Sequence, residues 1–196
     1  MAGHGRYTVL LDACVLYPRT MPDALMSLAA VNLFAAKWTE KIEHEWMSNL
    51  EINKPQIAHR LTERRDAMRR VAKDREVPTS AWRPLVQGLV LPDPDDRHVL
   101  AAAIAGHVDC IVTVNLKDFP DEVLEPHGLE AVHPDQFIIN QWDLDELVVL
   151  AAFKRMRSRW NNPAVTPEGF AQAVERGGLP WTAQRLRDAA ELIQPL

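Results

Sequence analysis

With 196 residues, 47% hydrophobic and 25% charged, the chain has a globular composition that excludes disorder and suits one domain plus a short appendage. No apolar run approaches the roughly 20 residues that span a bilayer. The first run, YTVLLDACVLY, is interrupted by Asp12 and lacks a cleavage pattern, so neither a membrane anchor nor a signal peptide is expected.

Tyr7–Leu11 is a continuous apolar stretch that predicts a buried strand ending at Asp12. Pro22 suits the first turn of a helix through about Val31. Leu33–Trp38 predicts a second strand, and Thr39 can cap a helix to about Leu50. Gln56 to Glu76 predicts a long charged helix stopped by Pro78. Leu85–Leu91 is ambiguous. Pro92-Asp93-Pro94 breaks the chain before a helix from Asp95 to about Gly106. Cys110–Val114 predicts a β-branched strand, Pro120–Pro126 a short helix closed by Gly128, and Leu129–Val132 a last strand. Strands alternating with helices predict a parallel sheet covered on both faces, an α/β/α sandwich. After about Asn140 the pattern becomes helical only, with helices expected over Asp143–Trp160, Pro167–Arg176 and Trp181–Ile193. The expected division is therefore residues 1–139 and a C-terminal helical appendage, 140–196.

Charge alternates along the chain. Lys54 to Arg75 holds eight basic and three acidic residues, whereas Asp93 to Glu125 holds eight acids against Arg97 and Lys117. Net charge is −5, which excludes a protein coated in basic residues but not a local basic stripe. Cys14 and Cys110 both sit in apolar context, as reduced thiols of a cytoplasmic protein rather than a disulfide.

Open parallel sheets bind ligands beyond the carboxyl ends of their strands. Asp12 follows the first strand there, and Asn115 and Asp118 follow CIVTV. The Asp93–Asp96 cluster leads into a helix, and Glu40, Glu43 and Glu45 lie on the helix after the second strand. A strand-end aspartate beside an apolar run needs a positive partner, and no basic residue is near Asp12 in sequence. Hard oxygen ligands without a Cys/His cluster point to Mg²⁺ or Mn²⁺ rather than zinc. His4, His44, His59, His98, His107, His127 and His133 are scattered and are expected as ordinary surface or core histidines. A dehalogenase-type phosphotransferase would need an Asp where Cys14 stands, and no Ser-His-Asp set is apparent.

Asp12, DPDDRHVLAAAI and TVNLKDF, in this order and spacing, resemble the PIN-domain ribonucleases of the VapC toxin type. The resemblance covers about residues 5–139 and implies a metal-dependent endoribonuclease, commonly dimeric, with RNA as substrate and a small antitoxin as partner. Carried across, Asp12 matches the first acid, Glu45 (in WTEKIEHEW) the second and Asp96 the third. Asn115 stands where the family usually has Asp, which shifts the fourth carboxylate to Asp118. The catalytic set implied is Asp12, Glu45, Asp96 and Asp118, with Asp12, Asp96, Asn115 and Asp118 on the metal. Asn115 also leaves open a catalytically weakened PIN module that acts by binding RNA or a partner. The appendage resembles that of a subfamily with an extra helical segment.

Helical phase separates the clustered acids. Val99, Leu100, Ala103 and Ile104 have a mean direction within about 10° of Asp96, so Asp96 faces the sheet and Asp95 lies about 100° aside. Asp93 suits a turn or cap. The same test leaves Glu45 about 100° from the apolar centre of its helix and Glu43 about 60°. Arg65, Arg69 and Lys73 recur at i, i+4, i+8, a row that can bind RNA phosphates or simply form a solvated face paired with Glu63 and Asp66. The tryptophans could stack bases, but aromatics at helical spacing are more often core. Lys154, Arg155, Arg157 and Arg159 form a further basic segment in the appendage.

Overall fold

The structure is a computed structural model that describes residues 6–161 and 163–193; His4 and Asn162 lie outside them. Four parallel strands form one sheet in the order β2-β1-β3-β4: β1 Thr8–Leu11, β2 Ala35–Lys37, β3 Cys110–Val112 and β4 Glu130–Val132. Register runs Leu10 opposite Lys37 on one side of β1 and Leu11 opposite Val112 on the other. Val9, Leu10, Leu11, Cys110, Ile111 and Val112 are all fully buried, inward and outward positions alike. Burial on both faces is what a parallel sheet requires, and it is why these strands read as unbroken apolar runs. The chain leaves β1 toward β2 and later adds β3 on the opposite side, so the direction of winding reverses between β1 and β3. That switch point is where open α/β sheets leave a crevice.

By packing, the chain divides into two compact units. One holds the described residues up to Tyr17 together with Phe34–His133; the other holds Pro18–Leu33 and the described residues from Pro134.

The first unit contains the sheet and helices α1 (Ala13–Leu16), α3 (Glu40–Asn53), α4 (Leu61–Val71), α5 (Thr79–Trp82), α6 (Arg97–Ala105) and α7 (Asp121–Leu124). Thr39 Oγ1 accepts the Ile42 N–H and starts α3, as the sequence predicts. Gly128 closes the turn after α7 with φ 67°, a left-handed conformation that costs other residues energy. The long helix expected over 56–76 is instead a 3-10 segment, Pro55–Arg60, followed by α4. Periodicity carried past the true end because Glu76 pairs with Trp38 in an isolated β-bridge, which pulls the chain out of the helix after Ala72. The ambiguous stretch Leu85–Leu91 overlaps a 3-10 segment, Arg83–Gly88.

The second unit is helical: α2 (Thr20–Ala30), α8 (Pro134–Leu144), α9 (Glu146–Arg159), α10 (Pro167–Arg176) and α11 (Pro180–Asp188). Its aromatic core joins Trp142 to Phe153 at 5.8 Å, Phe153 to Phe170 at 6.5 Å and Phe170 to Trp160 at 5.1 Å between ring centroids. Buried Asp135 accepts the Trp181 and Thr182 N–H groups at 2.7 and 2.9 Å, satisfying donors that the start of α11 would leave orphaned. At Gly177 a Cβ would come 2.7 Å from Thr20 Cβ, so only glycine permits α10 and α2 to approach this closely. Among the described residues, no helix is long and apolar enough to cross a membrane.

Candidate active site

Asp12 leaves β1 at the switch point and is 5% exposed. Three donors hold its carboxylate. The Ala13 N–H reaches Oδ1 at 2.6 Å, and Thr113 Oγ1 and Cys14 Sγ reach Oδ2 at 2.7 and 3.0 Å. Burial and then the Asp12 charge push the Cys14 thiol up to about 12, so sulfur keeps its proton and acts as donor. Both cysteines are free thiols. Thr113, the first residue of TVNLKDF, is fully buried and also accepts the Asn115 N–H at 3.1 Å, so one hydroxyl joins the ends of β1 and β3.

Asp93 Oδ1 accepts the Asp95 N–H at 2.8 Å, the turn role expected of it. That contact winds Pro94–Asp96 into a 3-10 turn and delivers Asp96 to the start of α6. Asp96 is partly buried; Asp95 is exposed. Burial first, then the charges of Asp12, Asp93 and Asp118, raise the Asp96 carboxyl to about 6. The charges of Asp12, Asp93 and Asp118 thus add up around Asp96, offset in part by His98.

Glu43 and Glu45 of α3 separate cleanly. Glu43 is buried, accepts the Trp38 indole N–H at 3.2 Å and is ion-paired with Arg69. Glu45 turns toward Asp96's helix, where His98 Nε2 lies 3.0 Å from its Oε1, and Lys41 Nζ lies 3.5 Å away. Burial would raise the Glu45 carboxyl, but the His98 hydrogen bond and the His98 and Lys41 charges outweigh it and hold Glu45 below the ordinary carboxylate range. His98, read from sequence as an ordinary histidine, is 4% exposed and belongs to this site. Its position two residues past Asp96, in the same motif, was the available signal.

Asp12, Glu45, Asp96, Asn115 and His98 line one cavity of about 520 Å³, together with Cys14, Tyr17, Asn49 and Asp95. Asp118 is not on that wall. It sits on the adjacent 3-10 turn Leu116–Asp118 and reaches the cluster through its charge on Asp96. Among the described residues no three His, Cys, Asp or Glu side chains converge closely enough to chelate an ion as they stand.

The two arginines of the basic row have carboxylate partners within the protein. Arg69 is committed to Glu43, Arg65 Nε donates to Asp66 at 2.9 Å, and exposed Lys73 lies beyond the end of α4. In the appendage, Arg157 is buried and donates to the Val165 and Ile193 carbonyls at 3.0 and 2.7 Å. Trp38, Trp46, Trp82 and Trp142 are core residues, which removes them as stacking surfaces.

A family model described as a PIN domain matches residues 8–117, more than half of the chain. The chain belongs to the PIN-domain family. A second model, the VapC50 C-terminal domain, matches residues 134–188 of this PIN protein, within the helical unit. A curated protein of Mycobacterium tuberculosis (strain ATCC 25618 / H37Rv), named "Putative ribonuclease VapC50", is 43% identical over 79 residues. The match covers 40% of this chain and 47% of the relative, about half its length. No solved structure matches the PIN protein significantly. The sheet, its switch point and the strand-end acids agree with the α/β fold that the sequence predicted.

Proposed function

We propose that this PIN protein is an endoribonuclease dependent on Mg²⁺ or Mn²⁺, the toxin of a toxin–antitoxin pair, with nuclease function within residues 1–139 and 140–196 as its extension. The observation that carries this is geometric: Asp12, Glu45, Asp96 and Asn115 line one cavity at the carboxyl ends of the strands, where the charges of Asp12, Asp93 and Asp118 bear on Asp96. No lysine or arginine lines it among the described residues. Hard oxygen donors and surplus negative charge fit a divalent cation. Asp12, Asp96 and Asn115 would hold it, with Asp118 adding charge from the next turn.

A bound divalent ion supplies an activated water for attack on the phosphodiester and stabilises the leaving oxygen. The protein's own groups do the rest. Thr113, Cys14 and the Ala13 amide fix the Asp12 carboxylate, so that donor is preorganised. Glu45, kept ionised by His98 and Lys41, is suited to accept the proton of the attacking water at its carboxylate. The relative's name supports RNA as substrate; a small antitoxin as partner and a homodimer rest on the VapC-type resemblance of the sequence alone.

Asn115, a neutral ligand in place of a carboxylate, favours one second reading: a weakened module that binds RNA without cutting it. Incubation of the full chain with RNA, with and without EDTA, separates the two. Cleavage that EDTA abolishes supports the nuclease; binding without cleavage supports the module.

A further inference from the structure

The acids fill only part of the cavity wall. Tyr17, Asn49 and Asp12 line the same space, yet neither Tyr17 nor Asn49 takes part in the carboxylate chemistry. Tyr17 caps the carboxyl end of α1, one turn past Asp12. Its backbone is held firmly, because the Arg64 guanidinium donates to the Leu16 carbonyl and, at 3.4 Å, to that of Tyr17. The ring is only partly buried and is not absorbed into the core. The Lys54 ammonium lies over one face of the ring, 5.6 Å from its centroid. Asn49 is exposed on α3, one turn beyond Glu45, and its amide offers both a donor and an acceptor.

We infer that Tyr17, Lys54 and Asn49 form a nucleobase subsite beside the acidic cluster, taking one unpaired base of a single-stranded RNA. The inference rests on the nuclease reading and names how its substrate is held. An aromatic face takes any base by stacking and a nearby cation favours the adjoining phosphate, whereas base pairing in a duplex would deny access to the ring. The Asn49 amide would then read a base edge. Placed next to the cluster, such a contact sets the scissile phosphate over the carboxylates and selects unpaired substrate.

The test measures binding of a labelled, single-stranded RNA octamer of mixed sequence, and of the matching duplex, by the full chain carrying Asp96→Asn to block cleavage. A parallel assay follows cleavage by the parent chain. Tyr17→Ala is expected to weaken single-strand binding about tenfold and duplex binding little, while Tyr17→Phe stays close to the reference. Lys54→Gln, at an exposed position that leaves the core intact, should weaken binding and reduce the salt slope by about one even if Tyr17→Ala folds poorly. Asn49→Ala should change the ranking among oligo-A, oligo-C and oligo-U. If the parent cleaves RNA but Tyr17→Ala and Lys54→Gln bind like the reference, the subsite is wrong while the nuclease reading stands. Equal losses on single strand and duplex would also overturn the subsite. A chain that neither binds nor cleaves RNA overturns both.

Discussion

Asp96→Asn should stabilise the metal-free protein while abolishing its cleavage. In the folded chain the Asp96 carboxyl is raised from 3.8 to about 6, by burial first and by Asp12, Asp93 and Asp118 next. A carboxyl raised on folding binds its proton more tightly in the native state, so stability falls as pH rises through the window from about 4 to about 6, and the full penalty is felt above it. That displacement corresponds to about 3 kcal/mol, and screening at a partly exposed carboxylate reduces it to about 1–2 kcal/mol. Asparagine removes the charge at little local cost, because the Asp96 side chain makes no capping hydrogen bond at the start of α6. Urea melts in EDTA at pH 7.5 and pH 4.5 measure the difference. The variant should exceed the parent by about 1–2 kcal/mol at pH 7.5, and the gap should narrow to about a third of that at pH 4.5. Added Mg²⁺ should then raise the parent's midpoint but not the variant's. Equal stabilities at pH 7.5, or a gap that widens on acidification, would refute the reasoning.

Other substitutions test other parts of the site. Arg69→Ala should cost about 2–4 kcal/mol in urea melts, since it leaves the buried Glu43 without its guanidinium, whereas Arg65→Gln, whose partner Asp66 is open to solvent, should cost under about 0.5 kcal/mol. Asn115→Asp should lower the Mg²⁺ concentration needed for half-maximal cleavage; a higher requirement would show that Asn115 is not a weakened ligand. Asp12→Asn should abolish cleavage at a stability cost of about 1 kcal/mol, because an amide cannot accept from Thr113, Cys14 and Ala13 as the carboxylate does. A variant more stable than the parent would mean that repulsion, not these hydrogen bonds, dominates at Asp12.

What could be read from the sequence was set by local chemistry. Strand β1, its terminal Asp12 and the Thr39 cap each depend on neighbours in the chain, and all three are found where expected. The apolar phase of α6 separated partly buried Asp96 from exposed Asp95 for the same reason. The phase of α3 places Glu43 nearer the apolar centre than Glu45, and Glu43 is the buried one, but its pair with Arg69, 26 positions on, is something no local pattern reports. The Glu45–His98 contact likewise joins two helices remote in sequence. Helix α8 was missed although Phe137, Ile138, Gln141 and Trp142 are spaced for one buried helical face. The wheel put Arg65, Arg69 and Lys73 in one row without reporting that Arg65 pairs with Asp66 and Arg69 with Glu43, because it records position but not partnership.

Cleavage of a single-stranded RNA by the purified full chain, with Mg²⁺ or Mn²⁺ and with EDTA, tests the metal-dependent nuclease most directly, provided Asp96→Asn and Asp95→Asn are run beside the parent. The parent and Asp95→Asn should cut in the presence of metal and stop in EDTA, and Asp96→Asn should lose nearly all activity. Cleavage that persists in EDTA, or that survives Asp96→Asn, would contradict it.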